Sequence, residues 1–252
     1  MGVRLPQPPQ GWAALRWEVG VVFVGIVLAL GAQQVADMLY WRGQAAQAQR
    51  NIEQELLEHE KDGYERLAVQ PCMRGQLSAL AKQLSGTTPG QWKAMPMIVS
   101  PQGVAEVANK VIPSAYRAPE RLWLDEAFNT AQTTGALNHM PDRLVAQYAQ
   151  VYRRARRAVS LQDDEEEGAA RLSPLAIDGV ISADARLDLF SALSKTDRAN
   201  SYLENDVGQE LNELHSLLDA VPLQIRERGV RERIQTQQKF RGVCVLSLKF
   251  EP

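Results

Sequence analysis

The sequence predicts a mainly α protein: one N-terminal transmembrane helix that continues into a long helix, followed by an extracytoplasmic helical bundle. Three observations predict it. The run VGVVFVGIVLALGA at 19–32 is apolar on every face. Beyond it, apolar residues recur at three- and four-residue spacing over about 210 residues. Eight Gly or Pro residues punctuate one stretch, residues 85–119, which is expected as a loop.

The apolar run is 14 residues long, near the lower limit for a span. A buried core helix fits it poorly, because it is apolar all round. A cleaved signal peptide is a rival, with Arg4 and Arg16 as its basic region and Ala29-Leu30-Gly31 as its small-residue site. An uncleaved signal anchor is preferred, because the helical pattern continues through Gln33 to Leu39. Aromatic residues also bracket the segment: Trp12 and Trp17 before it, Tyr40 and Trp41 after it. Trp12 and Trp41 would lie about 43 Å apart on a helix. That matches a bilayer with its headgroups, where Trp and Tyr act as interface anchors. The expected layout is a cytoplasmic tail (1–17), a span (18–41) and an outer domain (42–252). A bacterial inner membrane with the main domain in the periplasm is the expected location. With so short a tail, a complete receptor is not expected.

Two cysteines, Cys72 and Cys244, show no metal-ligand spacing. In an oxidising compartment they are expected to form a disulfide, and two unrelated thiols are the other reading. The chain holds 28 basic and 30 acidic residues, a formal net charge of −2. Such a balance gives no electrostatic reason to bind nucleic acid.

The long helix is expected to run to about Leu67, with Ile52, Leu56, Tyr64 and Leu67 apolar, and to break at Pro71. A second helix is expected over 72–84. A short helix over 104–111 could interrupt the loop. Helices are expected from Pro119, from Pro141 and over 182–203. Val207, Leu211, Leu214, Leu218 and Val221 form an apolar stripe before Pro222. Residues 243–250 look like a lone strand, expected to pack on the helices as extended chain.

No catalytic, cofactor-binding or metal-ligating constellation emerges. His59, His139 and His215 are far apart in sequence. His59 is expected on a solvated face and His215 at the edge of the core. The acidic run at 163–167 lacks the ligand spacing of a calcium loop. It is expected as a solvated turn near Arg153, Arg154, Arg156 and Arg157.

One pattern in the span rises above background. Gly25, Ala29, Ala32 and Ala36 share a helix face, which Glu18 and Gly43 extend at either end. Small residues on one face let a partner helix approach in lipid. A membrane protein partner or a homo-oligomer through the span is therefore expected, with the bilayer as surroundings.

The segment EVGVVFVGIVLAL at 18–30, with Gly25-Ile26 and Ala29-Leu30 and then Gln33-Gln34, resembles the start of uncharacterised bacterial single-span anchored helical proteins. Val35 stands where that family usually has Trp, and Trp41 follows later. Gln70-Pro71-Cys72 is similar to a later segment of such proteins. The resemblance covers about 50 residues. It implies an anchor with a helical outer domain and no known activity.

The sequence thus favours a non-enzymatic accessory or scaffold subunit of a membrane complex. A ligand-sensing periplasmic bundle that reports to a separate signalling protein is the alternative.

Overall fold

The computed structural model describes residues 11–86, 90–94, 106–107, 110–111 and 114–247. The protein is mainly α. Helix α1, Gly11–Gly86, is 76 residues long, about 114 Å at 1.5 Å per residue. From Trp17 to Tyr40 every residue is exposed, and the packed body begins at Trp41 and Ala45.

Pro71 does not end the helix, and the separate helix expected over 72–84 is the last part of α1. Pro71 has no N–H to give the Leu67 carbonyl, which weakens that turn. The C-terminal segment supports the same turn. The Leu246 N–H donates to the Ala68 carbonyl at 2.8 Å, beside the disulfide Cys72–Cys244. Neighbouring helices bury Ala68, Val69, Cys72 and Met73 on the rest of the turn. Tertiary packing outweighs the local penalty.

Among the described residues, four further α-helices complete the body: α2 (Glu126–Thr133), α3 (Asp142–Arg171), α4 (Ala183–Leu217) and α5 (Leu223–Arg241). Side-chain pairs give their directions. Tyr152 meets Glu55 and Glu165 meets Arg66, so α3 runs with α1. His59 meets Glu210 and Arg186 meets the Leu84 carbonyl, so α4 runs against it. Arg226 meets Glu60 and Gln237 meets Glu65, so α5 again runs with α1.

Strands β1 (Gly90–Trp92), β2 (Glu106–Val107), β3 (Lys110–Val111) and β4 (Gly179–Ile181) are short. Antiparallel pairing of β1 with β4 closes the end of the body far from the apolar run, Gln91 opposite Val180. There the buried Trp92 donates from Nε1 to the Leu175 carbonyl at 2.9 Å. β2 pairs with β3 where a helix was expected; the remainder of residues 104–111 lies outside the described residues.

Elsewhere one expectation changes and two gain detail. Pro119 does not start a helix; residues 114–125 cross the body without regular structure and bury Tyr116 and Trp123. The apolar stripe of 207–218 continues the helix before it, all within α4 apart from Leu218, its C-cap. In the described part of 243–250, expected as extended chain packed on the helices, Gly242–Cys244 is a 3₁₀ turn; Val245 then continues with extended backbone, buried, and the Leu246 N–H reaches α1. Residues 248–250 lie outside the described residues.

Candidate functional site

Two features could carry function: the bare part of α1 and a layer of buried charge around its middle.

On the bare part, Glu18, Gly25, Ala29, Ala32, Ala36 and Gly43 are all helical and exposed. Unbroken helix keeps them on one side. A Cβ placed on Gly25 or on Gly43 meets nothing within 4 Å, so the face is open. Of the aromatic residues, Trp17 and Tyr40 are exposed. Trp41 is half-buried by the ring of His139, stacked at 4.4 Å and 15°. The side chain of Trp12 lies outside the described residues. This helix is long and apolar enough to cross a membrane.

The buried charge was not legible in the sequence. His59, Glu60, Asp62, Glu65, Arg66 and Gln70 are all buried on α1. His59 is therefore not on a solvated face. Its Nδ1 lies 3.0 Å from Glu210 and its Nε2 donates to the Leu124 carbonyl at 2.8 Å. Trp123 and Tyr152 close over the ring edge-on. Burial opposes the charge on His59, but the Glu210 hydrogen bond and charge outweigh it and raise the pKa. Burial likewise raises that of Glu210, against the pull of His59.

Glu60 accepts from Arg226 on α5 at 2.5 and 3.0 Å, with both side chains sealed from water. Glu65 holds a two-pronged fork from Arg121, both contacts at 2.5 Å, and a third bond from Gln237. Asp62, beside Arg121 and Arg233, is pushed up to about 6 by burial despite both guanidinium groups. Arg66 donates to Glu165 and Asn200, and Tyr116 donates to the same Glu165 oxygen. Burial pushes the Tyr116 hydroxyl up, and the Glu165 charge adds to it.

Glu165 belongs to the acidic run expected as a solvated turn. Instead α3 continues through it to Arg171 and turns this one carboxylate inward. Its neighbours Asp164 and Glu167 do face solvent, where Lys195 pairs with both. Of the four nearby arginines, Arg154 pairs with Glu213, Arg156 with Asp125 and Arg157 with Asp206. His215 sits at the core edge, 3.2 Å from the Tyr64 hydroxyl.

This layer joins helices. The buried His59, Glu60, Asp62, Glu65 and Arg66 of α1 each meet a partner from another element, so the layer ties the helices together at matching heights. A buried pair gives little net stability against an apolar equivalent, but losing one partner is costly. The His59–Glu210 pair is closed to solvent, so no solute reaches it in this arrangement. Glu55 has a related role: it accepts from Tyr152 and from the Ala127 N–H, capping the start of α2 from another helix.

A cleft of about 270 Å³ opens between residues 114–120 and α3, bordered by Tyr116, Arg117, Glu120, Gln162, Glu165 and Glu166. Among the described residues, no group of three or more His, Cys, Asp or Glu could hold a metal ion. No protein-family model matches the chain, and neither the curated proteins nor the solved structures give a match.

Proposed function

We propose that this chain is a non-enzymatic, single-span accessory or scaffold subunit of a bacterial inner-membrane complex. The N-terminus is cytoplasmic, residues 18–41 span the membrane, and residues 42–252 form a periplasmic domain. One observation carries this reading: the apolar first part of α1 is bare along its whole length. Trp17, Phe23, Leu28, Leu30 and Leu39 are each more than half exposed. Removing each such side chain from water is worth about 1.5–3 kcal/mol. A bilayer supplies that removal. The Cys72–Cys244 bridge fits an oxidising compartment, and the resemblance of residues 18–34 to anchored proteins points the same way. The small-residue face then offers a membrane helix, from another protein or a second copy, close approach.

Mild-detergent extraction followed by mass analysis tests this. An intact N-terminus in the membrane fraction and a stoichiometric membrane partner, or a second copy, are expected. A soluble chain beginning near Ala32 would overturn it. The cleft at Tyr116 and Glu165 favours the second reading, a ligand-sensing bundle. A small molecule retained by the purified protein in place of a membrane partner would support that reading.

A further inference from the structure

We infer that the turn between α2 and α3 rests on the phospholipid headgroups and seats the base of the helical domain directly on the bilayer. This rests on the proposed span. The observation behind it is the stack of His139 on Trp41, ring centroids 4.4 Å apart and planes within 15°. Trp41 directly follows the exposed segment 17–40 and is covered by the body, so no spacer separates the bare helix from the domain. Side chains on a helix lean toward its N-terminus. The indole therefore reaches back toward the apolar run and carries the turn with it.

Backbone geometry brings the turn this close. Gly135 has φ +78, a conformation that favours glycine. A Cβ built there stands 4.0 Å from the Trp41 ring. The 3₁₀ turn Ala136–His139 follows and brings His139 over the indole.

The chemistry of the turn suits the headgroup layer. Residues 132–141, QTTGALNHMP, contain no Asp, Glu, Lys or Arg, although such residues make up 23% of the chain. Thr133, Thr134, Asn138, His139 and Pro141 are exposed. The Thr133 and Thr134 hydroxyls donate back to carbonyls of their own helix, which keeps these side chains compact. Neutral polar groups around a Trp meet neither charge repulsion at the lipid phosphates nor a large desolvation cost. Trp41 lies four residues beyond Asp37, about 6 Å along the helix. That places it in the headgroup zone when Asp37 marks the hydrocarbon edge.

The test uses the full chain in vesicles of phosphatidylethanolamine and phosphatidylglycerol. Asn138→Cys carries a polarity-sensitive fluorophore; Val27→Cys, in the span, and Val180→Cys, on β4, serve as references. The native cysteines are paired, so only the introduced thiol is labelled. The Asn138 label should shift to the blue and lose emission to lipid spin-labelled near the headgroup. The Val180 label, about 65 Å further along α1, should do neither. If the Val27 label is quenched by lipid while the Asn138 label behaves like the Val180 label, the span holds and this inference falls. If none of the three is quenched, the span reading falls with it.

Discussion

His59 Nδ1 and the Glu210 carboxylate lie 3.0 Å apart in the middle of the body, with both side chains sealed from water. The pair links α1 to α4 at one height. Because Nε2 is already committed to the Leu124 carbonyl, the imidazole is held at both nitrogens.

This pair makes stability depend on pH. The folded pKa of His59 lies above its ordinary value of 6.5. Its stabilising contribution is therefore complete below that value and is lost as pH rises through the raised folded value. Glu210, also raised, acts with the same sign. The melting temperature should fall as pH rises above about 6.5. In Glu210→Gln the buried imidazole loses its counter-charge. Stability should drop by about 3–5 kcal/mol, as for breaking other buried pairs, and the dependence should flatten or reverse. Melts followed by circular dichroism would read this, and equal slopes in both proteins would refute it.

Asp62 adds a second pH window. Its carboxyl moves from 3.8 to about 6 on folding. Folding therefore takes up a proton in this range, and stability falls as pH rises from about 4 to 6. The shift corresponds to something on the order of 3 kcal/mol. Asp62→Asn should remove this part of the fall and leave the higher-pH part intact. A variant whose profile overlays the parent between pH 4 and 6 would count against it.

The bridge closes a loop across 172 residues of chain. Constraining the unfolded state in this way is worth about 5 kcal/mol in the chain-entropy account. Cys72→Ser should migrate more slowly on non-reducing electrophoresis and melt at lower temperature. Leu246→Pro keeps the bridge but removes the N–H that reaches Ala68. It should cost about 1 kcal/mol, measurable by urea denaturation.

At Gly168, α3 and α4 approach so closely that a Cβ would stand 2.2 Å from the Thr196 hydroxyl. Gly168→Ala should destabilise by about 1–3 kcal/mol. Thr196→Ala should recover part of that loss in the double variant. Strict additivity of the two changes would show that the contact is not what limits the site.

On the bare helix, Gly25→Leu adds bulk where a partner helix would approach and leaves hydrophobicity intact. Partner recovery in mild detergent should fall, while Val24→Leu and Val27→Leu should be silent. Equal recovery from Gly25→Leu and Val27→Leu would reduce the span to a simple anchor.

By itself the sequence determined the helical class, the bare apolar segment, the start of α3 after Pro141 and the stripe of α4. Each depends on the periodicity of a side chain or on a proline's φ, and both are local. The small-residue face was likewise legible, because a helix maps spacing directly onto sides. Tertiary structure alone decided the rest. Pro71 stays inside α1 because surrounding helices and the Leu246 N–H hold the weakened turn. His59 and Glu165 lie inside because Glu210 and Arg66 arrive from chain 151 and 99 residues away. A charged residue reads as solvated until its partner is known, and here the partners are long-range. Pro119 met the local rule for starting a helix. Burial of Tyr116 and Trp123, with the Arg121 fork on Glu65, holds that segment in irregular chain instead. Local rules describe what a segment prefers in water, whereas the packed body replaces that water with specific neighbours.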